Sequence, residues 1–342
     1  MQSVKYSRDN AGQSLKKYIL LKQGELAYNH GASKAKQFGC CYELTEPEAR
    51  IPYVYHCFKV SDTEYTPFVA ATLNNPKMDK QLKRLVSSSV RMDGLLNISF
   101  DDYMSVSLHL PSFAEQEKIA DFLKKLDERI TAQETLVASL KKYKRGLLMY
   151  YFSEDNTRRW TNYLISQIGK VITGSTPPTN DRSNYDGNLL FCSPGDVGEQ
   201  KYISSTEKRV SAKGFALGRP LPPKSIIVTC IGLIGKLGIA KTEMITNQQI
   251  NALVVSEGFD YEFVYYAFEN FFPEYRGKVS MQTLPILSKS EFEKLTIKIP
   301  DLDVQHKISS HLAAMDKRIE HTQQKLSVLC KQRKAFLQQL FI

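Results

Sequence analysis

A heptad pattern of apolar residues occurs twice in this chain, and it restricts the possible folds more than any other feature. Between residues 115 and 152, apolar side chains recur at alternating steps of four and three, as in a helix that packs along one seam. A shift of 189 positions (300 − 111) lays this stretch on residues 304–341 without a gap. The matched pairs are Pro111 and Pro300, Gln116 and Gln305, Lys118 and Lys307, Ile119 and Ile308, Leu123 and Leu312, Asp127 and Asp316, Arg129 and Arg318, and Ile130 and Ile319. The sequence therefore predicts two related long helices.

Each helix needs a partner along its apolar seam. At 1.5 Å per residue, a helix of this length runs roughly 57 Å, which is too long for one small domain to cover. The nearest partner is the other copy, because the large segment between the copies can return the chain for antiparallel packing. Two polar seam positions of the first copy, Gln133 and Lys144, also fall on polar residues of the second, Thr322 and Arg333.

We therefore predict an α+β fold in which an antiparallel pair of long coiled-coil helices separates two mixed α/β domains. A length of 342 residues is enough for two domains with cores of their own. The predicted boundaries are 1–112 for the first domain, 113–152 for the first helix, 153–300 for the second domain and 301–342 for the second helix.

The composition and the net charge exclude few functional classes of protein. The net charge of +10 is spread through every segment, which suits a protein that tracks a phosphate backbone and also many proteins that do not. There is no run of eighteen apolar residues, and the first residues lack the apolar core of a signal peptide, so we expect a cytoplasmic protein without membrane contact. The six cysteines follow no disulfide or zinc spacing and are expected to be reduced thiols.

Local patterns predict the elements of both domains. In the first domain, the predicted strands are Leu15–Asn29, Ile51–Val60 and Met104–Leu110, and the predicted helix is Thr66–Ser89. In the second, the predicted helices are Trp160–Lys170 and Phe263–Tyr275, and the predicted strands are Leu189–Cys192, Ile226–Cys230, Gly238–Ala240, Ala252–Val255 and Phe292–Ile299. The run Gly232–Lys236 is too short for a phosphate loop and predicts a turn between buried strands. The match between the copies also begins before the helix, where Val90, Met92 and Leu95 fall on Val279, Met281 and Leu284.

The sequence shows no catalytic constellation. An amino-methyltransferase acting on adenine needs an Asn- or Asp-Pro-Pro-aromatic loop, and Asn75-Pro76-Lys77 is only a fragment of one. Asp196, Glu199 and Lys201 resemble the cluster of a metal-dependent nuclease, but they lie in one run instead of converging from two strands. The six histidines show no zinc spacing. We predict no catalytic residue, no metal and no cofactor.

At this point the residues carry a family resemblance. The segments LPSFAEQEKIADFLKKLDERI and IPDLDVQHKISSHLAAMDKRI resemble the conserved regions of type I restriction-modification specificity subunits. The segment GKVITGSTPPTNDRSNYDGNLLFCSPGDV resembles the opening of a target-recognition domain of that family, and TNQQINALVV its later core. The resemblance implies a non-catalytic reader of double-stranded DNA, in which each domain reads half of a bipartite target and the helix pair acts as a ruler. It also implies that methyltransferase subunits dock on the conserved helices, and it allows restriction or translocase subunits as further partners.

The first domain departs from the family pattern. Both recognition domains of the family begin with a segment like Trp160–Thr206, whereas this chain opens at a point similar to the middle of its second domain. The opening of the first domain is therefore supplied by another chain, lost by gene rearrangement, or replaced by a domain of another type.

Loops supply the candidate DNA contacts. Asn and Arg can make paired hydrogen bonds to adenine and guanine, and Lys and Arg on phosphates supply most of the affinity. The candidates are Ser175, Thr176, Thr179, Asn180, Arg182, Lys201 and Arg209 in the second domain, and Lys77, Lys80, Lys83 and Arg84 in the first. For each residue, the alternative is a solvated side chain without a DNA contact.

Polar residues that recur on both helices are the predicted methyltransferase contacts, because a pseudo-symmetric chain would offer two like sites to two identical partners. They are Gln116, Asp127, Gln305 and Asp316. We expect replacement of Asp127 and Asp316 to weaken assembly more than folding.

Two other classes of protein stay open. One is a coiled-coil scaffold that joins two protein-binding domains and binds no DNA. The other is an orphan nuclease that uses Asp196 and Glu199. Salt-dependent DNA binding would argue against the scaffold, and metal-dependent cutting by the isolated chain would identify the nuclease.

Overall fold

The computed structural model describes residues 18–31, 36–86, 96–198, 200–279 and 285–341. These residues form two compact units. Unit 1 contains residues 1–135 and 323–342, and unit 2 contains residues 136–322. The mixture of helices and sheets confirms the predicted α+β class. The predicted match of Val90, Met92 and Leu95 with Met281 and Leu284 lies outside the described residues, as does the side chain of Val279.

Unit 1 contains two small antiparallel sheets. Strand β1 (Tyr18–Lys22) pairs with β4 (Glu48–Pro52), and β2 (Leu26–Asn29) lies between β3 (Cys40–Glu43) and β5 (His56–Phe58). The predicted strand at 15–29 is therefore two strands where it is described, because Gly24 turns the chain with a φ of +81°. The predicted strand at 51–60 is likewise divided between β4 and β5.

The predicted helix Thr66–Ser89 is two helices, α1 (Thr66–Leu73) and α2 (Asp79–Leu85). The break has two causes. Pro76 disfavours helical geometry at the residue before it. The Asn74 amide, in addition, exchanges hydrogen bonds with the backbone N–H and carbonyl of Cys41 at 2.8 and 2.6 Å.

The predicted strand Met104–Leu110 is wrong. Its first residue ends α3 (Phe100–Met104), a short helix that Ser99 caps by accepting a hydrogen bond from the Asp102 N–H. Residues 106–110 have no regular secondary structure, and no strand of the described residues pairs with them.

Both long helices are present, as α4 (Phe113–Tyr151) and α10 (Leu302–Leu340), and each contains 39 residues. In unit 1, residues 113–135 of α4 pack against residues 323–340 of α10, and the rings of Phe122 and Phe336 meet with centroids 5.0 Å apart. In unit 2, residues 136–151 pack against residues 302–322, with Leu140 on Met315 and Ile319. The contacts run in opposite directions along the two helices, so the antiparallel pairing is confirmed within each unit.

Each unit has an ion pair on the seam between the long helices, and the two ion pairs occupy equivalent positions of the sequence repeat. In unit 2, the Lys144 ammonium lies 2.7 Å from an Asp316 carboxylate oxygen. In unit 1, the Arg333 guanidinium makes a two-point contact with Asp127. The 189-residue offset converts Lys144 to Arg333 and Asp127 to Asp316. One sequence pattern therefore produces the same helix-helix contact twice.

Unit 2 is built on a five-stranded sheet with the order β7, β14, β11, β12, β9. Its strands are β7 (Gly169–Thr173), β9 (Tyr202–Ile203), β11 (Ile226–Thr229), β12 (Leu237–Ala240) and β14 (Ile250–Val255). A three-stranded sheet has β8 (Tyr185–Cys192) between β10 (Lys208–Val210) and β13 (Ile245–Thr246). The predicted strands at 189–192, 226–230, 238–240 and 252–255 coincide with parts of these strands. The predicted turn at Gly232–Lys236 joins β11 to β12, with positive φ at Gly232 and Gly235.

The helices of unit 2 pack on these sheets. The short ones are α5 (Glu154–Thr157), α6 (Ile165–Ile168), α7 (Ala212–Leu217) and α9 (Lys289–Lys294), and the long aromatic helix is α8 (Tyr261–Val279), which contains the predicted helix Phe263–Tyr275. No helix of the described residues is both long and apolar enough to cross a membrane.

Two predictions in unit 2 need correction. Trp160–Lys170 is not one helix, because β6 (Thr161–Leu164) pairs with β15 (Thr296–Ile299) and β7 pairs with β14, which leaves only α6 between them. The predicted strand Phe292–Ile299 is only β15, because Ser288 and Glu291 form a capping box that starts α9.

Candidate nucleic-acid interface

The loop that follows β7 carries most of the predicted DNA contacts, and its base is fixed by the neighbouring strands. The Gly174 N–H donates to the Ile250 carbonyl at 3.0 Å, and the Ser175 N–H donates to the Thr246 carbonyl at 2.8 Å. A Cβ on Gly174 would lie 2.2 Å from the Asn247 carbonyl oxygen. Only glycine therefore allows the loop to leave the sheet along this path.

Two side chains hold the middle of the loop. The Tyr185 hydroxyl donates to the Pro177 carbonyl at 2.6 Å, and the Asn184 amide donates to the Pro178 carbonyl at 3.0 Å. Asn184 is 1% exposed, so the second bond is made inside the unit. These contacts fix where the tip of the loop, residues 179–182, leaves the surface.

The tip presents free polar groups on an ordered frame. Thr179, Asn180 and Arg182 are exposed, and their side chains make no hydrogen bond to any described residue. Between them, Asp181 accepts hydrogen bonds from the Lys213 ammonium at 2.7 Å and from the Ser183 N–H at 3.0 Å. These bonds, with Lys213 the strongest contributor, lower the pKa of Asp181 to about 2. The tip thus keeps its shape at neutral pH while its donors face solvent.

Three residues that the sequence did not single out join this surface. Gln248, in the turn after β13, accepts a hydrogen bond from the Thr176 hydroxyl at 2.5 Å. Lys213 holds Asp181, and Arg219 donates to the Thr173 carbonyl at 2.8 Å. These residues are distant in sequence from the loop and reach it only in the folded unit, so no local pattern could have identified them.

Arg209 is exposed on β10, which pairs with β8. Its guanidinium makes a 3.4 Å contact with the Asn188 carbonyl, at the long limit of hydrogen bonding. The contact is weak enough to leave the guanidinium available for a phosphate.

Lys201 is placed differently from its prediction. Its ammonium contacts a Glu262 carboxylate oxygen at 2.9 Å and the Tyr266 hydroxyl at 2.8 Å, and it lies 4.3 Å from the centre of the Tyr266 ring. The side chain is only 12% exposed. Lys201 is therefore withdrawn from the candidate DNA contacts.

Lys201 is part of an ion cluster inside unit 2 that also contains Lys144. The Lys144 ammonium contacts Glu269 at 2.8 Å and Asp316 at 2.7 Å. Burial works against the Lys144 charge, but the two carboxylates outweigh it and raise the pKa of Lys144. Burial raises the pKa of Glu269, although Lys144 opposes the shift. The cluster joins α8 to the segments of α4 and α10 that belong to unit 2.

The predicted partner contacts Gln116 and Gln305 are instead buried, at 1% and 2% exposure. The Gln116 amide accepts from the Tyr65 N–H at 3.0 Å and donates to the Pro111 carbonyl at 2.9 Å. The Gln305 amide accepts from the Asp260 N–H and donates to the Pro300 carbonyl, both at 2.9 Å.

Each glutamine thus accepts a hydrogen bond from the backbone N–H of the residue just before a helix, which is α1 in unit 1 and α8 in unit 2. The prediction that these two amides face a partner is corrected, because neither reaches the surface. Asp127 and Asp316, the other two predicted partner contacts, are engaged in the seam ion pairs.

Residues 157–330, slightly more than half of the chain, match the model of the type I restriction modification DNA specificity domain. The chain belongs to this family. The matched range contains the loop at 174–182, the ion cluster residues of α8, and most of α10.

Two relatives of this specificity-domain chain are specificity subunits of type I restriction enzymes. The MjaIX specificity subunit of Methanocaldococcus jannaschii is 30% identical over 178 residues, which cover 50% of this chain and 41% of that protein. The HindI specificity subunit of Haemophilus influenzae is 30% identical over 110 residues, which cover 32% of this chain and 24% of that protein. The matched part is thus less than half the length of either relative.

Solved structures extend the likeness across the chain at the level of the fold. The S subunit of a type I restriction-modification system from M. genitalium has a TM-score of 0.62 at 15% identity, with 96% of this chain and 85% of that chain covered. A chain from a structural study of complex assembly and conformational transition in the type I R-M system has a TM-score of 0.60 at 15% identity, with 96% and 84% covered. Both support the predicted architecture.

In unit 1 of this specificity-domain chain, the predicted basic contacts separate into two kinds. Lys80, Lys83 and Arg84 are exposed on α2. Lys77 is engaged, because its ammonium donates to the Phe341 carbonyl at 2.6 Å beyond the end of α10. Lys77 therefore stabilises a helix end, and the other three remain candidates for phosphate contacts.

The nuclease alternative finds no support in the described residues. Asp196 accepts hydrogen bonds from the backbone N–H groups of Ser193 at 2.8 Å and Glu207 at 2.7 Å, so its carboxylate closes a turn. Glu199 lies outside the described residues. No group of three or more His, Cys, Asp or Glu side chains suited to a metal is found within the described ranges.

The buried glutamines should be measurable as stabilising residues. Replacing Gln116 or Gln305 with alanine is expected to lower the free energy of unfolding by about 1–3 kcal/mol, because each change leaves a buried N–H and a carbonyl without a partner. The loss should appear in thermal melts of the chain alone, with no partner present. A variant that melts like the parent but fails to assemble would return these residues to the partner surface.

Gly174 should be intolerant of even one added methyl group. Gly174→Ala is expected to destabilise unit 2 by about 1–3 kcal/mol and to displace the loop, because the new Cβ would overlap backbone oxygens. Gly146→Ala is the matched control, since Gly146 lies in α4 with nothing within 4 Å of the added Cβ. That change should stabilise the helix by up to about 1 kcal/mol. Urea unfolding of both variants measures the difference, and losses of equal size would contradict the steric argument.

Proposed function

We propose that this chain is a non-catalytic, sequence-specific DNA-recognition subunit of a type I restriction-modification complex. The observation that carries the proposal is the loop tip at residues 179–182, where a fixed frame presents free Thr, Asn and Arg side chains. Asn180 and Arg182 have the groups that make paired hydrogen bonds to adenine and guanine in the major groove. Membership of the DNA specificity domain family favours this use of the tip over a solvated loop.

Affinity would come from the basic residues around the tip. Arg209, Lys213 and Arg219 lie on the elements that hold the loop, and contacts to phosphates would position the reader without selecting a sequence. Lys213 also orients Asp181, so it would link phosphate binding to the shape of the tip.

We propose a bipartite target, with one half read by each unit. The repeated helix seams and repeated glutamine caps support two related bodies, and Lys80, Lys83 and Arg84 provide a basic surface in unit 1. The domain limits predicted from the sequence, 1–112 and 153–300, remain our proposal for the two readers, with 113–152 and 301–342 as the conserved helices.

We also propose that methyltransferase subunits dock on the long helices. Because the glutamines are buried, we propose that the contact uses exposed apolar side chains of α4 instead. Leu136, Tyr143 and Tyr150 recur every seven residues and are 43%, 57% and 63% exposed. The rings of Tyr143 and Tyr150 give large contact areas, and aromatic residues are enriched in protein interfaces. Asp127 of unit 1, which is 46% exposed despite its ion pair, remains a separate candidate contact.

A salt series on duplex binding tests DNA recognition directly. The chain, alone and with a methyltransferase subunit of a type I system, is titrated with fluorescent duplex DNA at several salt concentrations. A DNA reader should show a logarithmic affinity that falls linearly with the logarithm of the salt concentration. Absence of binding at low salt in both samples would instead favour the coiled-coil scaffold.

A further inference from the structure

The internal repeat extends beyond the long helices into the small elements of both units. At the same 189-residue offset, the Ser99 and Asp102 pair that caps α3 corresponds to the Ser288 and Glu291 pair that caps α9. Residues 107–110, which follow α3, therefore correspond in sequence to β15, which follows α9.

A second correspondence relates β5 of unit 1 to β14 of unit 2 at an offset of 195 residues (251 − 56). The His56 ring nitrogen lies 3.1 Å from the Ile98 carbonyl, and the Asn251 amide donates to the Leu287 carbonyl at 3.0 Å. Ile98 and Leu287 are themselves related by the 189-residue offset. Two strands that make the same contact to equivalent carbonyls occupy equivalent places in their units.

In unit 2, one short segment covers both of these elements. Within Thr161–Thr173, β6 pairs with β15 over four residues and β7 pairs with β14 over five. Between and within them, Ile165, Ile168 and Val171 are 0%, 0% and 2% exposed. The segment thus closes two strand edges and completes the core under them.

In unit 1, both equivalent edges are open. No described strand pairs with residues 107–110 or with the side of β5 that faces away from β2. Leu108 and Leu110 are only half-buried, whereas their counterparts Ile297 and Ile299 are 6% and 1% exposed. The Gln81 amide exchanges 3.0 Å hydrogen bonds with the backbone of Ser107, which occupies one strand position with a side chain.

We propose that unit 1 binds a strand–turn–strand segment equivalent to Thr161–Thr173, supplied by a recognition domain outside residues 1–342, across residues 107–110 and β5. Open strand edges are templates for such pairing. The bound segment would carry aliphatic side chains at the spacing of Ile165, Ile168 and Val171. These side chains would cover Leu108 and Leu110, which are half-buried in unit 1. An opening segment of another recognition domain has this chemistry.

Two other sources are less suitable. The segment in unit 2 has an aromatic residue, Tyr163, followed by apolar residues at 165, 168 and 171. Residues 1–17 do not contain this pattern. A second copy of this chain already uses its own segment as β6, α6 and β7, so donation would open the core of its unit 2.

A graft tests the proposal on the full chain. Because Phe152 corresponds to Phe341 at the 189-residue offset, Ser153–Gly174 is appended directly after Phe341 in place of Ile342. The added segment then follows α10 as the natural one follows α4. We expect the backbone amides of residues 56–60 and 107–110 to exchange with deuterium at least about tenfold more slowly than in the parent.

The matched control carries Ile165→Asp and Ile168→Asp in the appended copy only, and it should give no protection. A synthetic peptide with the sequence of residues 157–174, added in trans, is the second arm and does not depend on the linker. Protection of the two edges in either arm supports the proposal. If neither the graft nor the peptide slows deuterium exchange at these amides, the proposal is wrong. It is also wrong if the parent protein protects the same amides by self-association. No DNA is present, so the outcome is independent of the proposed function.

Discussion

Replacing Lys144 with methionine is expected to lower the free energy of unfolding of unit 2 by about 3 kcal/mol. The change keeps the apolar stem but leaves the carboxylates of Glu269 and Asp316 without their nearest cation. Removing one partner of a buried ion pair costs roughly 3–5 kcal/mol, and the 31% and 24% exposure of the two acids places this case at the lower end. Trp160 is the only tryptophan of the chain and packs in unit 2, so its fluorescence reports this unit during urea unfolding.

The repeat provides a matched control for Lys144. Arg333→Met removes the equivalent seam cation in unit 1, but that ion pair is 40% and 46% exposed and should contribute no more than about 1 kcal/mol. It should not move the Trp160 transition. Equal losses in the two variants would show that the unit 2 cluster is an ordinary surface ion pair.

The loss caused by Lys144→Met should also depend on pH. Burial already raises the pKa of Glu269 in the parent, so its charged form is disfavoured in the folded state. A group with a raised folded pKa destabilises the fold above that pKa, and the penalty disappears as the pH falls through it. The difference between variant and parent should therefore shrink as the pH falls from neutral toward the ordinary pKa of a glutamate, about 4.3.

The second large effect is expected at the loop tip. Asn180→Ala and Arg182→Ala should each weaken binding of the preferred duplex by about 1–3 kcal/mol, or roughly 5- to 150-fold in Kd, and relax the preference at one base pair. The physical reason is that each side chain is exposed, makes no hydrogen bond to another residue that the structure describes, and is held on a fixed frame. Fluorescence anisotropy with the preferred duplex and with single-base-pair variants measures both quantities.

Arg209→Ala separates base reading from phosphate binding. It should weaken all duplexes by a similar factor and reduce the slope of the salt dependence by about 1, without changing the preferred sequence. Arg158→Ala is the neutral control, because Arg158 lies outside the loop surface and pairs with Asp155. If the tip variants also weakened every duplex equally, the tip would be a phosphate contact and not a sequence reader.

The long helices were predictable because their signal is local and repeated. A heptad pattern needs no knowledge of distant residues, and an ungapped second copy identifies the packing partner. Local signals failed where long-range pairing decides the structure. Residues 160–170 have helical spacing, yet β6 and β7 form because β15 and β14 offer them strand partners 78 to 138 positions away.

The candidate site was predictable only in part, for a related reason. Recurrence of Asp127 and Asp316 indicates a symmetric contact, but a sequence cannot distinguish an external symmetric partner from the antiparallel helix of the same chain. The structure shows internal ion pairs with Arg333 and Lys144. Lys201 was wrongly predicted as a DNA contact. Its acidic partner Glu262 is 61 positions away in the sequence, so no local pattern indicated the ion pair. The loop at 174–182 was predictable, because glycine and two prolines mark it locally.

The most direct test of DNA recognition is selection from a randomised duplex pool by this chain together with a methyltransferase subunit of a type I system, followed by sequencing of the bound fraction. We expect an enriched short motif that disappears or broadens with Asn180→Ala and Arg182→Ala. Two motifs at a fixed spacing would show that both units read DNA, and one motif would assign reading to unit 2 alone. No enrichment at low salt, from a parent protein that is folded and assembled, would contradict the proposed function.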